Sequence, residues 1–151
     1  MRLLTIILIM VCSSSSSFGQ QSVPLDAANY VSVAINVLMK DHTDTAVIPA
    51  NDGILIFSKK KLQTEEVKKL WVFLAASAAG KYFNDHPTST NYVLYFSDVG
   101  DMKARPIRTQ ALSLSVAKRV QSKLYNNQMS LKDGIDEIWN SLESKTIENL
   151  K

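Results

Sequence analysis

Two histidines stand beside carboxylates in this chain, His42 in Asp41-His42-Thr43-Asp44 and His86 in Asp85-His86-Pro87. Imidazole and carboxylate together suit a divalent metal, so the two segments could share an ion. No His-Glu-x-x-His, paired-cysteine or calcium-loop spacing accompanies them. A histidine just after a helix is also favoured electrostatically as a plain cap. The sequence therefore predicts polar caps at both positions, with no metal and no cofactor.

Asp98 and Asp101 flank Gly100 at the end of an apolar run. Strand ends are where ligands commonly sit in α/β sheets, so two carboxylates there could do acid–base work or hold a cation. Turn-forming aspartates are the plainer reading. Ser58, Ser77 and Ser97 are available as nucleophiles, but none lies in a Gly-x-Ser-x-Gly elbow. The five glycines are scattered singly and form no phosphate-cradling loop. A hydrolytic or metal-assisted enzyme built on Asp98, Asp101 and a histidine stays an alternative, and no catalytic residues are assigned.

Positive charge is the most suggestive pattern. Lys103, Arg105, Arg108, Lys118, Arg119 and Lys123 have no acid between the first and the last, and Lys59, Lys60, Lys61, Lys68 and Lys69 make a second cluster. Facing the same way, they would attract an acidic or phosphate-rich ligand. The whole chain carries only +3, or +2 without Arg2, which argues against a nucleic-acid partner. Solvated helix faces are the plainer reading of both clusters. The candidate ligand-binding residues are thus Lys103, Arg105, Arg108, Arg119, Asp98 and Asp101.

The elements that position these residues follow from periodicity. From Asp26 to Lys40 two periods compete: Val31, Ala34, Ile35 and Leu38 fit one helix face, whereas Val31, Val33, Ile35 and Val37 alternate like a strand. The helix is favoured, with Asp26 as its N-cap. Thr45 to Ile48 and Ile54 to Phe57 are apolar runs joined through Asn51, Asp52 and Gly53, which tolerate the positive φ of tight hairpins. Pro49 places the first run at a sheet edge, because proline donates no ladder hydrogen bond.

Thr64 with Glu65 and Glu66 starts a long helix, and the residue before Pro87 ends it. Its middle, Val72, Phe73, Ala75, Ala76 and Ala79, is apolar all round and must be covered on several sides. Asn91 to Val99 reads as an interior strand. Leu112, Val116, Val120 and Leu124 recur every fourth residue, predicting an amphipathic helix from Thr109 to Leu124. Ser130 and Asp133 resemble a capping box ahead of a last helix whose apolar face is Leu131, Ile135, Ile138, Trp139 and Leu142. The fold expected is α+β, a small mixed three-stranded sheet (a hairpin plus one strand) covered by three or four helices, with the second and third strands linked by a β-α-β crossover.

Residues 1–19 begin with Arg2, continue as the apolar run Leu3 to Val11 and end in Ser13 to Ser17, Phe18 and Gly19. This is the layout of a secretory signal peptide, too short for a spanning helix, with cleavage after Gly19. Residues 20–151 then form one globular domain. The chain's single cysteine, Cys12, would leave with the leader, so the mature chain is cysteine-free; acylation of Cys12 as a lipoprotein is the minor alternative, disfavoured by Val11 before it. No Asn-x-Ser/Thr site occurs. None of these motifs identifies a family. The expectation is an exported, periplasmic or secreted, binding or accessory protein of a bacterial envelope. Its partner would be an unknown protein or acidic ligand, with no nucleic acid and no membrane contact beyond the leader.

Overall fold

The computed structural model describes residues 23–88, 90–99, 101–103 and 105–148. The leader through Gly19, Cys12 and Gly100 lie outside the described residues.

Helix α1, Val23–Leu38, resolves the competing periods. It buries Ala27, Ala28, Val31, Ala34 and Ile35, at helical spacing, while Val33 and Val37 are 65% and 64% exposed. A strand would have buried those two valines on the same side as Val31. Asp26 lies inside the first turn, where the helix dipole still favours its charge, and not at the cap. The amide of Asn36 then closes on the backbone of the next strand: its Oδ1 accepts from the Thr45 N–H at 3.0 Å and its Nδ2 donates to the Thr45 carbonyl at 2.9 Å.

Strands β1, Thr45–Ala50, and β2, Gly53–Ser58, form the expected antiparallel hairpin, with Ala50 opposite Gly53. The glycine serves a different purpose from the one its turn position suggests. A Cβ on Gly53 would lie 1.8 Å from the Val93 carbonyl oxygen, so what the position requires is room for the neighbouring strand.

Helix α2, Glu65–Asp85, starts at Thr64, whose Oγ1 accepts from the Val67 N–H at 3.2 Å, and stops at His86. Trp71, Val72, Phe73, Ala75, Ala76, Ala79 and Phe83 are all buried, which requires cover on several sides; α1, the sheet and the two later helices supply it. Trp71 meets Phe96 edge-on at 5.9 Å between ring centroids.

Strand β3, Val93–Ser97, runs parallel to β2, with Ile54 opposite Leu94, and is central. Beyond it two expectations change. The run read as one helix from Thr109 is divided: β4, Ile107–Ser113, pairs antiparallel with β3, and α3 begins only at Leu114. Ser113 marks the break, its Oγ accepting from the Ser115 N–H. After α4, Leu131–Asn140, capped by Ser130 as expected, the chain returns as β5, Glu143–Ile147, beside β4.

The sheet is therefore five-stranded and mixed, in the order β1-β2-β3-β4-β5, with four described helices, and the expected three-stranded sheet is corrected. Ile54, Ile56, Leu94, Phe96 and Leu112 face the helices, while Leu55, Tyr95 and Ala111 form a smaller cluster on the opposite face. On that second face the Tyr95 hydroxyl donates to Asp52 at 2.8 Å. Burial, and then the Asp52 hydrogen bond and charge, push the Tyr95 phenol up to about 12.

A buried chain of hydroxyls pins β1 and β2 to α2. Trp71 Nε1 donates to Thr45 Oγ1 at 3.0 Å, Thr45 and Thr43 Oγ1 are 2.9 Å apart, Thr43 and Ser58 Oγ are 3.0 Å apart, and Ser58 Oγ donates to the Lys60 carbonyl at 2.6 Å. Each hydroxyl has one proton, and that of Ser58 is committed to Lys60. Thr43 must therefore donate to Ser58 and Thr45 to Thr43, so the chain runs in one direction from the indole to the Lys60 carbonyl.

Candidate functional site

Along the helix-facing side of β4 the residues change from Leu112, buried in the core, to half-buried Gln110 and exposed Arg108. Register sets Ser144 of β5 opposite Gln110 and Thr146 opposite Arg108, so four polar residues share this patch. Lys68, near the N-terminal end of α2, and Asp101, in the one-turn 3-10 segment Asp101–Lys103, complete the lining of a cavity of about 670 Å³. Thr109 and Lys145 also border it, from positions that strand alternation assigns to the opposite face. Lys68 and Arg108 thus carry the positive charge of its helix-facing side and Asp101 the negative charge, with Lys145 a third cation at its border.

Each charge is held by a separate element. The Ser97 hydroxyl donates to the Arg108 carbonyl at 3.0 Å, tying the end of β3 to this point of β4, and the Thr109 hydroxyl donates to the Lys145 carbonyl at 2.9 Å. Asp98 Oδ1 accepts from the Asp101 N–H at 3.1 Å and so shapes the turn that presents Asp101. Lys69 pairs with Glu65 at 3.1 Å and lies 5.3 Å from the Trp139 ring, leaving its neighbour Lys68 out of that contact. Among the described residues, Lys68, Arg108 and Asp101 take part in no ion pair, either with one another or with other groups. Gln110 Oε1 is buried and accepts no hydrogen bond from a described residue.

The six sequence candidates separate. Asp101 and Arg108 meet at the cavity. Asp98 stands behind it as the turn's cap. Lys103 is exposed and outside the lining, and Arg105 Nη1 donates to the Met102 carbonyl at 2.8 Å. Arg119 reaches from α3 to Glu137 of α4, Nη2 to Oε1 at 2.6 Å, and is committed there.

Neither histidine lines the cavity. His42 is exposed after α1; His86 caps α2, stacked on Tyr82 with centroids 4.4 Å apart. Burial, then Asp26, raise the Tyr82 phenol. No group of three or more His, Cys, Asp or Glu among the described residues is placed to hold a metal, and none of their helices is long and apolar enough to cross a membrane.

Sequence reasoning missed Gln110, Ser144 and Thr146 as site residues and saw Lys68 only as one lysine of a run. The alternation Arg108-Thr109-Gln110 was the available signal; nothing in Ser144-Lys145-Thr146 alone points to a cavity. The site is thus a polar, mixed-charge corner on a two-layer α+β domain. No family model, no curated protein and no solved structure matches this chain.

Proposed function

We propose that this chain is an exported small binding protein of a bacterial envelope, periplasmic or secreted, that holds an acidic ligand in the corner cavity through Arg108 and Lys68. One observation carries the reading: two cations from different elements, β4 and α2, line one cavity while neither is in an ion pair among the described residues. A guanidinium presents a planar fork that matches a carboxylate or phosphate in a bidentate way, and an ammonium adds a compact charge. Ser144, Thr146 and the Gln110 amide supply neutral hydrogen bonds around them. The leader motif of residues 1–19 supports export, and its apolar core is followed by small residues at the expected cut.

Thermal unfolding with a panel of small carboxylates and phosphates tests the binding claim, with sodium chloride at equal ionic strength as control. A ligand at about 100 times its Kd stabilises by about 2.7 kcal/mol. At least one acid should raise Tm in the native protein and fail to do so in Arg108→Gln/Lys68→Gln. Equal shifts in both proteins, or none in either, would remove the claim. Mass spectrometry of the protein recovered from expressing cells tests export. A chain starting at Gln20 agrees with it, an acylated Cys12 moves the processing site, and an intact cytosolic Met1 chain refutes it.

A further inference from the structure

Resting on the acidic-ligand reading, we infer that the ligand is dipolar: an α-amino dicarboxylate, free or within a short unprotected peptide, whose ammonium is taken by Asp101 while its two carboxylates meet Arg108 and Lys68. A site for a simple anion has no use for a carboxylate in its wall, since Asp101 would repel phosphate or a plain diacid. Nor does Asp101 serve to neutralise the cations, because among the described residues it pairs with neither. On the helix-facing side the 3-10 turn, β4 and α2 instead hold Asp101, Arg108 and Lys68 apart around a common space, while Lys145 borders it from a position that strand alternation turns to the opposite face. The complement of that arrangement is a ligand with two negative groups and one positive.

A hydroxyl could also bond Asp101, but it would leave the carboxylate's charge uncompensated, whereas an ammonium satisfies both the charge and the hydrogen bonds. Gln110 of the same lining keeps its carbonyl oxygen buried, so the carboxylate of Asp101 is the acceptor on which the ammonium depends. The volume, about 670 Å³, is ample for one amino acid and admits a short peptide, within the roughly 300–1,000 Å³ of small-molecule sites.

Isothermal titration calorimetry of the purified protein tests this with two pairs of probes. Glutamate is compared with glutarate, which lacks only the ammonium, and the dipeptide Ala-Glu with its N-acetyl derivative. The ammonium-bearing member of each pair should bind at least about tenfold more tightly. Asp101→Asn should abolish that preference without weakening the ammonium-free probes, Asp101→Glu should retain part of it, and Arg108→Gln should weaken every probe. No described residue bonds the Asp101 carboxylate, so both Asp101 variants should fold. If glutarate and the acetylated peptide bind as well as their partners, and Asp101→Asn strengthens them, the dipolar inference fails while the acidic-ligand reading stands. If none of the four binds and Arg108→Gln changes nothing, the dipolar inference is overturned, and the acidic-ligand reading then rests on the phosphates of the thermal panel.

Discussion

Replacing Thr45 by Val should expose the direction of the buried hydroxyl chain. Thr45 is 2% exposed, and valine keeps its shape and suits a strand, so the change removes an oxygen with little repacking. The Asn36 clamp holds the Thr45 backbone and is untouched. What is lost is the acceptor of the Trp71 indole N–H, in a side chain with 0% exposure. A buried donor left unpaired costs about 1–3 kcal/mol. Thr43 still donates to Ser58 and loses only an incoming bond, so the net cost should be about 2 kcal/mol, taken from the middle of that range. In a domain of this size that lowers Tm by roughly 5–10 °C.

The control is Trp71→Phe, which removes the donor at a cavity cost of its own. On that background Thr45→Val strands nothing and should cost close to zero, giving a coupling of about 2 kcal/mol in a double-mutant cycle. Urea unfolding of the four proteins measures it, the midpoint moving while the slope holds. An equal cost of Thr45→Val beside tryptophan and beside phenylalanine would refute the assignment of the indole proton to Thr45.

Three further outcomes are expected. Asn36→Ala removes both bonds to the Thr45 backbone and should cost about 1–3 kcal/mol, with faster hydrogen exchange at the Thr45 amide than at central β3 amides. Gly80→Ala would ordinarily strengthen a helix interior by about 0.5–1 kcal/mol. Here the new Cβ would lie 2.6 Å from the Ala117 carbonyl oxygen on α3, so it should destabilise by about 1–3 kcal/mol, and a rise in Tm would disprove so close an approach of the two helices. Tyr95 titrates at about 12 when folded, above its ordinary value of 10.0. The folded state holds the proton more tightly, so this contribution is full below pH 10 and is lost as pH rises through about 12. Phenolate absorbance should show a late-ionising tyrosine that Tyr95→Phe removes and Asp52→Asn brings earlier.

Much of the fold was legible because most of its elements carry their own signals. Thr64, Ser130 and Pro49 act locally, and the first two make the caps their types predict. The misreading at β4 has a definite cause. Leu112 faces the helical layer from a strand, yet it falls in phase with Val116 and Val120 of α3, so spacing alone extended the helix backwards through Ser113. Strand β5 carried no signal because its residues are exposed save for half-buried Ile147; ladder bonds to β4, and not apolar alternation, make it a strand. Losing β4 and β5 leaves the cavity without a far wall, so the sequence names Asp101 and Arg108 in one candidate set but does not show that these two, and not the other four, meet at a cavity.

That loss has a physical root in where the core stops. The helical layer covers β4 as far as Leu112, and one strand period later the same face carries Gln110 and then Arg108, with Ser144 and Thr146 beside them. Arg108, Ser144 and Thr146 are exposed and Gln110 is half-buried, so polar side chains suit these positions at the sheet's edge. The chain carries these polar groups on a hydrogen-bonded ladder, which holds them more rigidly than a loop would. It then brings in two further charges, Lys68 and Asp101, that need not have faced this corner for the fold to form. The corner of β4 and β5 lies where residues from the sheet, from α2 and from the turn after β3 converge.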